Sequence, residues 1–383
     1  MNPVRPYKTK RGCDSVTKRS NGMKEKLLMT PGPTPVPEEI RSAMAEPIIH
    51  HRTPEYREIF KQASDGLKTV FKTANDCLVF TSSGTGAMEA SVVNVLSPGD
   101  KAIVIRGGKF GERYYELCEA YGAEPIPLDV EWGTALDPGI LKDALSKNKG
   151  VKAVFTELCE TSTATVYDIK AIGEVVKKTE AILVIDAISG LGADDLETDK
   201  WGVDIAVGGS QKALMLPPGL SFCSVSEKAW RMVKDSRLPK YYYDFNKYKK
   251  SKKTDDTPFT SAITLTIGLR KALEMINAAG IDNVLKECRS MAETIRGAAP
   301  GLGLEVFSKS PSNALTALKV PEGRDSSLIV KALKKRDIVV ADGQGYLKGK
   351  IVRVAHMGGI RKPDLDRTLA ALKEAIKEVF SCQ

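Results

Sequence analysis

The chain is short of the residues that build metal centres. It has three histidines and three tryptophans in 383 residues. His50 and His51 are adjacent, and neighbours on a regular element point in different directions, which argues against a shared metal ion. Seven cysteines (Cys13, Cys77, Cys118, Cys159, Cys223, Cys288 and Cys382) are scattered without a CxxC pair. No zinc site is expected from that spacing, and reduced thiols in a cytosolic protein fit best. Long apolar runs are also missing. None approaches the roughly 20 residues of a membrane-spanning helix, so no membrane association is expected. The basic N-terminus lacks the apolar stretch of a secretory signal, and no internal repeat is visible.

What is present suits a globular enzyme. Hydrophobic residues make up 42% and charged residues 27%, enough for a packed core and two domains at this length. The net charge of +9 is uneven. Residues 1–22 hold Arg5, Lys8, Lys10, Arg11, Lys18 and Arg19 against Asp14 alone. That stretch is aperiodic and reads as a basic leader or tag, an organellar leader being left open. A second cluster, Lys247, Lys249, Lys250, Lys252 and Lys253, lies beside Tyr241, Tyr242, Tyr243 and Tyr248. Basic residues with aromatics raise nucleic-acid binding. No accompanying signature supports it, and a solvated loop is the plainer reading.

Three stretches carry the chemistry. Val203-Asp204-Ile205-Ala206-Val207 reads as a buried strand. It leads into Gly208-Gly209-Ser210-Gln211-Lys212-Ala213-Leu214, then the break Leu216-Pro217-Pro218-Gly219. A lysine at such an exit can lose solvation, drop in pKa and attack a carbonyl; it can also be an ordinary surface lysine. Ile182-Leu183-Val184-Ile185-Asp186 is a second apolar strand, ending in a carboxylate that faces the ligand crevice of an open α/β sheet or caps a helix. Together, Lys212 and Asp186 suit pyridoxal 5′-phosphate, which needs a Schiff-base lysine and an acid for its ring nitrogen. Thr81-Ser82-Ser83-Gly84-Thr85-Gly86 follows the short run Leu78-Val79-Phe80. Its small donor-rich residues open a helix, a natural phosphate site.

With those stretches in view, the chain resembles the class V aminotransferases of pyridoxal-phosphate fold type I, in the alanine–glyoxylate and serine–pyruvate branch. Ser83-Gly84-Thr85, Asp186, Ser210-Gln211-Lys212-Ala213 and Pro217-Pro218-Gly219 carry the resemblance, which runs from Leu27 to the C-terminus. It implies an α/β fold: a large domain over 38–279 with a mainly parallel seven-stranded sheet covered by helices, and a smaller α+β domain over 280–383. A leader over 1–26 and an arm over 27–37 precede them. It implies that Lys212 and Asp186 are catalytic, with Ser83, Gly84, Thr85, Phe110, Ser162, Ile188, Gln211, Thr257 and Thr260 also around the cofactor. Phe110 would stack on the ring. Thr257 and Thr260 would reach the neighbour's phosphate in a homodimer. Gly32 would line the substrate pocket, and Arg353 would clamp the substrate carboxylate. Position 164 is usually glycine in such proteins and is Ala164 here, a change expected to cost little.

The implied reaction moves an amino group from alanine or serine to glyoxylate or pyruvate in ping-pong order, with aspartate or an aminophosphonate as alternative donors. A cysteine desulfurase or lyase is the other reading; Gln211 and Phe110 stand where desulfurases place histidines, which counts against it. Read from the residues alone, Arg353 interrupts Ile351-Val352-Arg353-Val354-Ala355 and needs a partner there. A salt bridge on a sheet face is its ordinary explanation. His51 and Arg52 are further clamp candidates.

Overall fold

A computed structural model describes residues 25–381. The basic stretch at 1–22, Cys13 and Cys382 lie outside them. Seven strands form the central sheet: β1 (Asp76–Phe80), β2 (Lys101–Arg106), β3 (Glu124–Asp129), β4 (Ala153–Glu157), β5 (Ile182–Asp186), β6 (Ile205–Gly209) and β7 (Ser221–Val225). They are ordered β1-β7-β6-β5-β4-β2-β3. β2 to β6 are parallel, and β7 is antiparallel to both neighbours.

This is the mainly parallel seven-stranded sheet that the sequence predicts. Its centre is apolar because β4, β5 and β6 are buried at every position, as strands covered on both faces must be. β3 carries Pro125 and Pro127 at the sheet edge, where a missing N–H sacrifices no ladder bond. β7 is not apparent in the sequence. Its two serines break the apolar run that marks the other inner strands.

A smaller antiparallel sheet follows: β8 (Glu305–Val306), β9 (Leu315–Lys319), β10 (Ala341–Asp342) and β11 (Ile351–Ala355), ordered β8-β9-β11-β10. The N-terminal arm is tied to this part of the chain. Leu27 and Leu28 pair in parallel with Ile338 and Val339, and the Met29 carbonyl accepts the Ala355 N–H.

Helices cover both sheets. In α1 (Pro54–Phe71), Thr53 caps the start, and Ile59, Phe60, Ala63, Leu67 and Val70 form the buried face. α2 (Gly84–Val95) is buried along most of its length. α3 spans Lys109–Ala120, whereas the sequence pattern predicts a start at Tyr114. The earlier start is made by Glu160, whose Oε2 accepts the N–H groups of Phe110 (2.9 Å) and Gly111 (3.2 Å). A cap supplied from 50 residues away leaves no local signal.

The lysine cluster is not a loop. It forms α4 (Phe245–Lys252), capped by Asp244 and seated through buried Phe245 and Tyr248. Lys247 lies 3.4 Å from the Tyr241 ring centroid and Lys249 4.0 Å from that of Trp230, so aromatic faces hold part of the charge. α5 (Ile263–Ala279) and α6 (Ile281–Ala298) meet at Gly280, whose φ of +79° and ψ of 127° are a backbone conformation that side chains rarely adopt. α7 (Ser326–Lys335) and α8 (Lys362–Ser381) back the small sheet.

Candidate active site

The C-terminal ends of β4, β5 and β6 lie side by side and bring the candidate residues together. β6 runs through both glycines, two residues further than the apolar run suggests, so Lys212 follows directly at its exit. Lys212 is 8% exposed. Its amine donates to the Pro31 carbonyl. A Cβ on Gly32 would sit 2.7–2.8 Å from Cδ, Cε and Nζ of this lysine, and Gly32 has a φ of +113°, so only glycine fits. Thr34 completes the clasp. Its hydroxyl donates to the Lys212 carbonyl (2.8 Å) and its N–H to that of Gln211 (3.1 Å). Burial pushes the Lys212 amine down to about 8; Asp186 opposes this, while Arg353 and Arg113 add to it.

Asp186 ends β5 and is 4% exposed. Its Oδ1 accepts the Ile188 N–H at 2.7 Å. Burial raises this carboxyl to about 6, against the pull of the Ile188 N–H, Lys212 and Arg113. Glu157 ends β4 in register with Asp186. Both of its carboxylate oxygens are buried without a partner among the described residues, and burial pushes it well above the usual range. Glu160 is also fully buried but well satisfied. Beyond the two N–H groups that it takes from α3, its Oε1 accepts the Ser162 N–H (2.9 Å) and hydroxyl (2.6 Å).

Ser83, Gly84 and Thr85 open α2. The Ser83 side chain makes no capping bond, and no acid lies in the first turn, so the N–H groups at this end keep their capacity for an anion. A side chain on Gly84 would collide with Ile188. Phe110 lies in the first turn of α3, with the Arg113 guanidinium 4.7 Å from its ring centroid. The Ser162 hydroxyl, besides donating to Glu160, accepts the Lys109 N–H at 3.1 Å. Gln211 Oε1 is buried and unpartnered among the described residues.

Arg353 lies mid-strand in β11 and is 6% exposed. The salt bridge that would ordinarily explain it is absent among the described residues. Instead, Nε donates to the Asp342 carbonyl (2.9 Å) and Nη1 to the Thr161 carbonyl (3.0 Å). Arg353 thereby joins the small sheet to the loop beyond β4, next to Ser162, with no ion pair among the described residues; the Glu160 and Asp342 carboxylates act on it only from a distance.

Four candidates stand apart. Thr257 is buried and donates to the Phe259 carbonyl (2.7 Å), and Thr260 is exposed. The segment they belong to touches the phosphate loop through the Ala262 N–H and Thr81 Oγ1 (3.2 Å). Arg52 is engaged by Asp256 (2.6 Å). The His50 and His51 rings do lie against each other, with centroids 4.7 Å apart, because the chain turns there and forms no regular element.

The family model "Aminotransferase class-V" matches residues 31–362. The chain belongs to the class V aminotransferases. It is 42% identical to an uncharacterized aminotransferase of Methanocaldococcus jannaschii, with 93% of this chain and 94% of that protein aligned. It is 35% identical to the L-aspartate–glyoxylate aminotransferase of Paracoccus denitrificans (87% and 86%). Identity to the serine–glyoxylate aminotransferase of Hyphomicrobium methylovorum is 34% (92% and 89%). Among solved structures, an alanine–glyoxylate aminotransferase from Nostoc superposes with a TM-score of 0.90 at 27% identity, over 94% of this chain and 98% of that one.

This aminotransferase uses pyridoxal phosphate, and its site suits that group. Lys212 is a buried amine whose pKa is lowered to about 8. Asp186 is a buried acid with no cation bonded to it among the described residues. The start of α2 is an uncapped helix N-terminus, and Gln211, next to Lys212 in the chain, offers an unsatisfied oxygen. Four residues at the site escaped sequence reasoning: Thr34, Arg113, Glu157 and Glu160. Only Glu160 had a local hint, standing at a strand exit beside Ser162.

Proposed function

We propose that the chain transfers an amino group from alanine or serine to glyoxylate or pyruvate in two half-reactions of ping-pong order. The observation that carries this reading is Arg353, a buried guanidinium whose hydrogen bonds among the described residues go to two backbone carbonyls and whose charge acts on Lys212. A planar cation with spare donors suits a carboxylate, and donor and acceptor both present one beside the reacting carbon. Glyoxylate as acceptor is supported by three relatives of different donor preference, whose names all include it. Aspartate is the alternative donor, favoured by the P. denitrificans relative.

The bound cofactor would supply an electron sink and carry the amino group between donor and acceptor. Ser83, Gly84, Thr85, Ile188, Phe110, Ser162 and Gln211 would hold it. Asp186 would keep a proton on its ring nitrogen. Lys212 would anchor it, and the Lys212 amine would move the proton at the substrate Cα, a task helped by its lowered basicity. Gly32 and Pro31 keep that amine oriented. In a homodimer, Thr257 and Thr260 would complete the partner's phosphate site.

A donor–acceptor panel on the purified enzyme tests the reading. Alanine or serine with glyoxylate should give the highest kcat/KM. Each donor alone should yield one equivalent of oxo acid per site, the mark of a ping-pong reaction. A requirement for both substrates before any product forms would overturn the order. Sedimentation of a fully active monomer would remove the shared phosphate site.

A further inference from the structure

Arg113 has no role in the reading above, yet it stands between two parts of the cofactor site. It lies three residues after Phe110 on α3, so the two side chains share one helix face. Its guanidinium covers the Phe110 ring at 4.7 Å. From there Nη1 donates to Thr85 Oγ1 at 3.2 Å. Thr85 is the second residue of α2, at the helix end that has neither an acid in its first turn nor a side-chain cap.

Arg113 is half-buried and has no carboxylate partner among the described residues. Its one hydrogen bond there goes to a neutral hydroxyl. The charge is felt at the reacting groups, lowering the pKa of both Lys212 and Asp186. A partly desolvated guanidinium, one hydroxyl and the free N–H groups of a helix start together form a complete anion site. Each element is a good phosphate donor by itself, and the arginine fork adds a bidentate contact that an ammonium cannot make.

We infer that Arg113 binds the phosphate group of the cofactor, across the start of α2 from Ser83, Gly84 and Thr85. The contact comes from within the same chain, so it needs no neighbouring subunit. It also makes the site selective for the phosphorylated cofactor over pyridoxal, because only the phosphate meets the guanidinium.

The test uses apoprotein loaded with either pyridoxal phosphate or pyridoxal, with binding followed by absorbance. Arg113→Met keeps the apolar stem over Phe110 and removes the charge. It should weaken pyridoxal phosphate about 10- to 100-fold, the range of one lost charged hydrogen-bond pair, and leave pyridoxal unchanged. Arg113→Lys should fall between, retaining charge without the fork. In the wild-type apoprotein, inorganic phosphate should compete with pyridoxal phosphate but not with pyridoxal, and should raise the melting temperature; Arg113→Met should lose both effects. Equal weakening of the two cofactor forms would overturn the inference in favour of a support role for Phe110. Unchanged affinity for pyridoxal phosphate in both variants would overturn it outright. Should Arg113→Met fail to fold, Arg113→Lys carries the same comparison, because it keeps a cation on the same stem and loses only the fork.

Discussion

Lys212 lies just beyond the end of β6 and Arg353 in the middle of β11. Both are cations, buried to within a few per cent, and neither has an ion pair among the described residues. The large sheet and the small sheet nevertheless treat their cations in opposite ways. At the parallel sheet, burial and nearby guanidinium groups make the charge on Lys212 optional, down to a pKa of about 8. At the antiparallel sheet the guanidinium stays charged whatever surrounds it, and two carbonyl dipoles steady it without cancelling it. One region eases loss of a proton and the other keeps a charge. The proposed transamination would use both, because its amine would exchange protons while its carboxylate grip would not.

The contrast breaks most completely if Lys212 is removed. Lys212→Ala should abolish turnover and the adduct trapped by borohydride; an adduct on another lysine would reassign the anchor. Next is Arg353→Ala, which removes both the charge and the fork. It should cost carboxylate substrates about 2–5 kcal/mol in transition-state binding, read as kcat/KM, and leave simple amines little changed; Arg353→Lys, which keeps the charge and loses the fork, should lose less. Equal loss on both classes would place the clamp elsewhere. Asp186→Asn should preserve folding and lower kcat on the order of 10²–10³-fold, as losing one preorganised electrostatic partner does. A few-fold loss would remove Asp186 from the ring nitrogen.

The pH dependence sharpens the comparison. Only the neutral Lys212 amine can capture the cofactor, so the capture rate by apoprotein should climb about tenfold per pH unit and level off above about 8. Because Arg353 holds the lysine pKa down, Arg353→Ala should move that midpoint to higher pH; stopped-flow absorbance reads it. An unmoved midpoint would uncouple the two cations. The smallest effect belongs to Ala164, on the loop that offers Thr161 to Arg353. Its φ of +58° is left-handed, a conformation costing about 1–2 kcal/mol. Ala164→Gly relieves this but loses a buried methyl worth about 0.8 kcal/mol and adds chain entropy worth about 0.5–1 kcal/mol. The terms nearly cancel, so thermal melting should barely shift. A large shift in either direction would show that the strain or the packing at this loop is misjudged.

Much of the Lys212 side was legible before any coordinates. An apolar strand ending in one acid, another ending in glycines and a lysine, and a small-residue helix start are each written within a dozen consecutive residues. Hydrophobic periodicity reports burial locally, and a strand end reports the crevice. The Arg353 side was legible only as an anomaly, a charge inside an apolar strand. What satisfies it comes from Thr161, 192 residues earlier, and from the Asp342 backbone, which has no side-chain signature. The lysine cluster misled for a related reason. Its charges suggest solvent, while Phe245 and Tyr248, which seat α4, are too few to set a period.

By itself the sequence determined the parallel sheet and the edge position of its proline strand, and it singled out Lys212, Asp186 and the small-residue start of α2 as candidates. Each depends on residues close together in the chain, where side-chain alternation and turn chemistry act directly. Tertiary structure alone decided that Gly32 packs on Lys212, that Glu160 starts α3, that Arg113 meets Thr85 and that Arg353 meets the Thr161 carbonyl. Those contacts join segments between 28 and 192 residues apart. They form only when the folded core brings those segments together, and no local pattern records which partner a buried polar group will meet.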